Sequence, residues 1–464
     1  MFLCFARARV GTVSSLGKVF RTTRSVCPTC LRELEAEVRE DDGRVWLVRE
    51  CPDHGTIRAQ VGVEPWYQEG LSRDFFTLNG EAPVTDDYDF PVYNLFLTMR
   101  CNMRCPICSV NGGDEGSEMT GKDVDDFLSK VRGVQINLFG GEPTLRDDLV
   151  DIVRRVRKSG NLPVLFTNGK RLIEPGYLDD LLVAGLSEVR LQFDSFDDAS
   201  LERLRGERLA ALHEEVLSAI EARKVPTVLE VAVARGINEG ELGDILRYAV
   251  DRPFIRAVGF RSLTRLGRAR RENEIALTND ELALLLEEQT DGQFTLRDLY
   301  RFQRLFFALY HVLGRLNCFY NHHIILVREP GRGFIPLPHL VDLAALEPSL
   351  DTYRERVVGG SWFATPFLLA ALGRAFLTRG GLRAVRLLWR QLLSLVTGGT
   401  VAVSGGSGGV LVVGFGSPCD MLTYDLANTG FCQGGNVSLT GIATTADDNL
   451  QRERDAITGA GDVQ

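Results

Sequence analysis

The sequence predicts an α/β fold: a partial (β/α)6 barrel, preceded by a small N-terminal metal-knuckle domain and followed by a mainly helical C-terminal extension. Three observations carry that expectation. Between residues 92 and 261 short apolar runs rich in β-formers alternate with amphipathic stretches, the pattern of parallel strands joined by outer helices. Six of the 10 cysteines fall into two ligand-like groups near the start of the chain. At 464 residues the chain is too long for one ordinary core, so several units are expected, the barrel being the largest.

In chain order, residues 1–21 read as an extension and 22–90 as the metal-binding knuckle domain with its connector. Residues 91–265 form the barrel, 266–397 the helical region with a basic amphipathic helix, and 398–464 a Gly-rich linker and tail. The barrel strands begin near 92, 134, 162, 188, 228 and 256, with helices expected over 149–158, 178–184, 209–222 and 240–250. In the knuckle domain, Cys27-x2-Cys30 and Cys51-x2-His54 offer four ligands at the spacing of a tetrahedral site. Strand-forming Arg44-Val-Trp-Leu-Val-Arg49 lies between them after a turn-like Asp-Asp-Gly, as one arm of a hairpin. A closed four-ligand site is structural, and either zinc or a single iron suits its donors.

A different chemistry is offered by Cys101-Asn-Met-Arg-Cys105-Pro-Ile-Cys108, which directly follows the first barrel strand. Three thiolates in one loop leave one iron of a four-iron cube open, whereas a zinc loop would need a distant fourth ligand. Gly140-Gly141-Glu142 follows the second strand, 32 residues after Cys108. Glycines let backbone approach a ligand closely, and a carboxylate beside them stabilises a cation. Together the two motifs resemble the radical S-adenosylmethionine (radical SAM) superfamily, whose signature is Cys-x3-Cys-x2-Cys after the first strand and Gly-Gly-Glu after the second. The resemblance implies a 4Fe-4S cluster on Cys101, Cys105 and Cys108, S-adenosylmethionine on its open iron, and Gly140, Gly141 and Glu142 receiving the ammonium of that cofactor. It further implies reductive cleavage to a 5'-deoxyadenosyl radical that takes hydrogen from an inert C–H bond, and so a reductant protein such as ferredoxin or flavodoxin.

Ligands of such barrels collect at the carboxyl ends of the strands, where Thr167, Asn168, Asp194, Arg235 and Arg261 fall. Asp194 is read as a ribose contact or a helix cap. Asn168 is read as an adenosine contact or a turn residue. Arg235 is read as a partner for the carboxylate of S-adenosylmethionine or of a substrate, or as a surface ion pair.

Several stretches also resemble the archaeal tetraether lipid synthase-like branch: the two knuckles, Leu191-Gln-Phe-Asp194, Gly236 to Gly243, and Phe260 to Arg268. That resemblance implies a lipid or other hydrophobic substrate. Beyond the barrel only Cys318, Cys419 and Cys432 remain to hold an auxiliary cluster, with His322 or His323 as candidate co-ligands. Residues 361–400 hold five arginines and no acid, with Arg379, Arg383, Arg386 and Arg390 on one helical face and Leu382, Val385 and Trp389 on another. Such a helix either lies on a membrane or packs on the barrel with its arginines in water. Competing readings are a radical SAM peptide maturase and a degenerate metal-binding scaffold without turnover.

The net charge of −9 gives no general attraction to nucleic acid, and none is expected as a partner. Ligand-type cysteines suit the reducing cytoplasm. No run reaches the apolar length of a spanning helix, so the protein is read as cytoplasmic, soluble or peripheral at the membrane. The Arg-rich, acid-poor start fits a transit peptide as the lesser reading.

Overall fold

The computed structural model describes residues 17–80, 90–271, 276–315, 318–329, 331–397, 408–416, 423, 425, 434–438, 441–444 and 451. Four antiparallel strands come first: β1 (Val19–Val26), β2 (Glu33–Asp41), β3 (Arg44–Cys51) and β4 (Gly55–Gly62), paired in sequence order. Asp42 and Gly43 both take positive φ (51° and 70°) between β2 and β3, the two-residue turn that matches strand twist. Alternation buries Ala36, Val38, Val45, Leu47 and Val61 as a small core of their own. Residues 56–90, read as a connector into the barrel, instead hold most of β4 and the helix Pro65–Asn79. That helix buries Tyr67, Leu71 and Phe75 in the main core.

The six expected barrel strands are present: β5 (Val92–Thr98), β6 (Gln135–Gly140), β7 (Leu162–Thr167), β8 (Glu188–Gln192), β9 (Thr227–Val233) and β10 (Ile255–Ser262). Each is parallel to the next. Period-2 alternation turns Ile136, Leu138, Leu165, Val189, Leu191, Leu229 and Val231 into one core with Ile152, Val153, Val156, Val216 and Ile220 of the helices Leu149–Lys158 and Ala210–Ala222.

The sheet continues beyond the six. Strand β11 (Asn321–Glu329) and β12 (Gly333–Pro336) arise in the region read as helical. The tail supplies β13 (Val410–Gly416), β14 (Gly434–Ser438) and β15 (Gly441–Thr444). Strand β13 is parallel to β10 and antiparallel to β11, while β14 is parallel to β5 at the opposite side. The result is an 11-stranded sheet in the order β12-β11-β13-β10-β9-β8-β7-β6-β5-β14-β15. The helices Asn279–Gln289, Leu296–Val312, Leu343–Val358, Ala364–Phe376 and Arg379–Thr397 complete the C-terminal region.

Candidate active site and metal-binding ribbon

The loop leaving β5 closes on itself before it meets anything else. Cys101 N donates to Gly113 O at 2.6 Å, Gly113 N donates to Met99 O at 3.1 Å, and Cys108 N donates to Cys105 O at 3.2 Å. Cys105 is buried against Met103, Leu201 and Leu209, with Cys101 and Cys108 half-buried beside it. Burial pushes the Cys101 thiol up to about 11, and the nearby Glu142, Cys105 and Cys108 add to the shift, so the sulfurs and a carboxylate share one small space. Uncompensated, that space disfavours a thiolate; a bound cation reverses the preference. Three soft sulfurs carried by one short loop fit an iron–sulfur cluster, so these residues would hold one.

Sequence reasoning missed what holds the loop from outside. Arg268 donates from Nε to Cys105 O at 2.7 Å, from Nη1 to Gly112 O at 3.0 Å, and from its backbone N to Cys108 O at 3.0 Å. Gly267 precedes it at φ +56°, where a Cβ would lie 2.4 Å from Cys108 O. The only sequence signal was a glycine and an arginine at the end of a strand-like run.

Gly-Gly-Glu sits against the same loop. Gly141 N donates to Thr98 O (2.7 Å) and Glu142 N to Arg100 O (2.8 Å). Gly140 takes φ +133°, and a Cβ on Gly141 would lie 2.2 Å from Arg100 O, so the approach requires glycine. Glu142 is 1% exposed. Its Oε1 accepts from Thr144 N (3.1 Å), Thr144 Oγ1 (2.6 Å) and Thr167 Oγ1 (2.8 Å), and its Oε2 from Asn168 N (2.8 Å). Burial raises the Glu142 carboxyl, and those hydrogen bonds oppose the rise. Its side chain therefore ties the turns after β6 and β7 together, leaving the motif's backbone as what it can present to a ligand.

The other mouth residues divide sharply. Asn168 forms its turn, with Oδ1 accepting from Lys170 N at 3.1 Å, and also donates from Nδ2 to Asn102 Oδ1 at 2.9 Å, bracing the cysteine loop. Asp194 is fully buried and committed to protein donors: Arg205 Nε (2.6 Å), Arg205 Nη2 (2.9 Å) and Ala232 N (2.8 Å). The cap of the next helix is Asp197 rather than Asp194, whose carboxylate is spent here on Arg205 and Ala232. The charge of Arg205, held by Asp194, in turn opposes the rise that burial imposes on the Cys105 thiol. Arg235 pairs with Glu281 at 2.8 Å, the ion-pair alternative of its two readings.

The strand face opposite the helices is polar. Asn137 Nδ2 donates to Asn94 Oδ1 and Gln135 Nε2 to Asn137 Oδ1, each at 2.7 Å. Phe96, Phe139 and Phe166 stack edge-on, with centroids 5.0 and 5.1 Å apart. The Arg190 guanidinium lies 5.3 Å from the Phe166 centroid and donates to Glu188 (3.0 Å) and Glu230 (2.8 Å). Arg261 donates to Asn321 Oδ1 at 2.8 Å. Glu188 Oε2 and His323 Nδ1 are buried without a hydrogen-bond partner. Burial raises Glu188 to about 7 and, with Arg261 nearby, lowers His323 to about 3.

At the ribbon, Cys27, Cys30, Cys51 and His54 bring their ligand atoms within 4.8 Å of one another. Cys30 and Cys51 sulfurs are 3.7 Å apart, and His54 Nδ1 lies 3.4 Å from Cys51 Sγ and 3.6 Å from Cys27 Sγ. Those are edges of a tetrahedron around an ion bonded at about 2.0–2.3 Å, so the four fit one metal ion. Of the candidate auxiliary ligands, only Cys318, His322 and His323 fall among the described residues. Cys419 and Cys432 lie outside them, and His322, whose Nδ1 is 2.8 Å from Tyr67 Oη, faces the core while His323 faces the polar side.

Residues 95–249 match a family model described as the Radical SAM superfamily, and residues 19–61 one described as the HMPTM N-terminal zinc ribbon domain. The chain is 31% identical over 313 residues to a 7,8-dihydro-6-hydroxymethylpterin dimethyltransferase of Methanocaldococcus jannaschii, covering 60% of this chain and 61% of that protein. It is 33% identical over 175 residues to a probable GTP 3',8-cyclase of Pyrococcus abyssi, covering 36% of this chain and 56% of that protein. Streptococcus suis SuiB bound to S-adenosylmethionine aligns at 14% identity and TM-score 0.36 over 43% of this chain and 47% of that one. The chain thus spans less than two thirds of each. Neither curated relative is named for a lipid activity, so these matches do not support the lipid synthase-like branch suggested by the shorter stretches.

Proposed function

Residues 95–249 belong to the radical SAM superfamily, and from that premise we propose that this protein is an enzyme activating a C–H bond of a small polar heterocycle of the pterin or purine type. The observation that carries the substrate class is the polar face behind the cysteine loop. A lipid chain would strip water from the part-exposed Arg261 and Glu230, which lie 3.6 Å apart, and would give them no hydrogen bond in exchange. A flat heterocycle instead stacks on aromatic edges and exchanges hydrogen bonds with amides, carboxyls and guanidinium groups. The two curated relatives, named for a dihydropterin and for GTP, support the same class.

When bound, a 4Fe-4S cluster with S-adenosylmethionine supplies a 5'-deoxyadenosyl radical on one-electron reduction, with a ferredoxin or flavodoxin as the donor. The chain's own residues do the rest. Cys101, Cys105 and Cys108 would hold the cluster, while Arg268 and Asn168 fix the loop that carries them. Gly140 and Gly141 bring backbone to the ligand, and Glu142 locks their turn. Arg190, Glu230 and Arg261 orient the substrate by its polar edge, which sets the hydrogen that is taken.

The test is formation of 5'-deoxyadenosine by anaerobically reconstituted protein with dithionite. A 7,8-dihydropterin or GTP should raise the rate at least tenfold over the uncoupled rate, and Glu230→Ala should remove the stimulation while leaving uncoupled cleavage intact. Stimulation by fatty acyl chains and not by either heterocycle would replace this substrate class with the lipid one.

A further inference from the structure

The helix Ala364–Phe376 is apolar on both sides, yet only one side is covered. Ala364, Leu368 and Leu372 pack inward against the main core. Outward, Trp362, Pro366, Leu369, Ala370, Gly373 and Leu377 follow one another at helical spacing, and all six are exposed. Trp362 is 86% exposed, Leu377 75% and Leu369 53%. A helix without a polar face belongs in a core or against another apolar phase, and a stripe of this kind on a surface marks a contact.

Charge says which contact. Residues 361–400 contain five arginines and no acidic residue, in a chain whose net charge is −9. Arg374 borders the stripe directly, and Arg379 and Arg386 follow on the next helix, where Arg383 is paired with Glu329 and the buried side is Gly381, Ala384 and Leu388. That inward side is neither of the two faces expected from the sequence, so Leu382, 47% exposed, points outward with the arginines. A second copy seated on this stripe would set arginine against arginine. Anionic lipid head groups complement the arginines, and the acyl boundary takes the Trp and Leu side chains.

We propose that the outward face of the helices Ala364–Phe376 and Arg379–Thr397 docks on an anionic membrane surface, with Trp362, Leu369 and Leu377 inserted and Arg374, Arg379 and Arg386 at the head groups. The site lies outside the cysteine loop and the polar strand face, and the inference does not depend on the substrate proposed above. It makes the protein peripheral: among the described residues no helix is long and apolar enough to cross a membrane.

Flotation of the full chain with vesicles tests this. Binding is expected to vesicles of 30% phosphatidylglycerol in phosphatidylcholine and not to phosphatidylcholine alone, and to fall as salt rises. The double variant Trp362→Ser/Leu377→Ser should weaken binding at least tenfold, and so should Arg374→Glu/Arg379→Glu. All four side chains are exposed, so both variants should keep the unfolding midpoint and the uncoupled cleavage of S-adenosylmethionine. Failure of the full chain to float with anionic vesicles overturns the proposal, as does binding that neither double variant weakens. A dimer in solution that Trp362→Ser/Leu377→Ser dissolves would also overturn it, by giving the face to a second copy.

Discussion

The two cysteine sites of this chain use similar residues for opposite purposes. In the ribbon, four ligands from two knuckles converge within 4.8 Å, each knuckle at the end of a strand pair. In the barrel, three cysteines sit in one loop after a single strand, and the fold around them supplies hydrogen bonds to the loop backbone rather than a fourth sulfur. The first arrangement is closed and can only stabilise. The second offers three sulfurs from one loop, and Arg268 and Asn168 hold that loop in place. Coordination number, more than the kind of ligand, separates structure from chemistry here.

The largest effect expected is at the open site. Cys105→Ala removes the buried sulfur of the three, and the purified protein should lose its iron and sulfide, its brown absorbance and all cleavage of S-adenosylmethionine. Zinc or other metal at the ribbon should stay at one equivalent. Measuring both metals on the same sample sharpens the contrast; joint loss of both would mean that the sites are not independent.

The converse comes next. His54→Ala or Cys51→Ser opens the closed site, and because the ribbon core is only Ala36, Val38, Val45, Leu47 and Val61, loss of the ion should cost it several kcal/mol. Limited proteolysis between residues 19 and 62 should accelerate, while iron at the barrel loop is retained.

Both sites were legible in the sequence for the same reason: their ligands are close in the chain, and local spacing survives any fold. Six barrel strands were legible from period-2 runs bounded by helices. The five further strands were not. Val410–Gly416 follows a Gly/Ser-rich run and finds its partners, β10 and β11, roughly 90 to 150 residues earlier. Gly434–Ser438 carries two glycines and a single apolar residue, so nothing in its composition announces a strand beside β5. The roles of Asp194 and Arg235 were undecidable for a related reason. Each side chain's partner, Arg205 or Glu281, is chosen by tertiary packing rather than by spacing.

A third test reaches the polar face behind the open loop, for which the ribbon has no counterpart. Burial, assisted by Glu230 and opposed by Arg190, raises the Glu188 carboxyl from 4.5 to about 7. An acid whose folded value is raised contributes fully below pH 4.5 and loses that contribution as pH rises to about 7, roughly 3 kcal/mol in all. Urea unfolding of wild type should therefore weaken across this window relative to Glu188→Gln, with the two alike near pH 4 and the variant more stable at pH 8. A constant difference between them would mean that Glu188 is ionised throughout.

The smallest effect is expected at Arg235, and it bounds how far the open site reaches. The guanidinium is 45% exposed and bound to Glu281, which lies on the helix Asn279–Gln289, so it gains modest Coulomb energy in a wet environment and is screened by salt. Arg235→Ala should change stability by no more than about 0.5 kcal/mol and leave the affinity for S-adenosylmethionine unchanged in equilibrium dialysis. Asp194→Asn in the same assay is the useful control. It leaves the buried Arg205 charge without its carboxylate beside Cys105, so it should lower iron retention through the loop rather than through a direct contact. If Arg235→Ala weakened binding tenfold while Asp194→Asn did not, the open site would draw its cofactor contacts from side chains on the far strands, and the rigid loop braced from behind would be the wrong account of it.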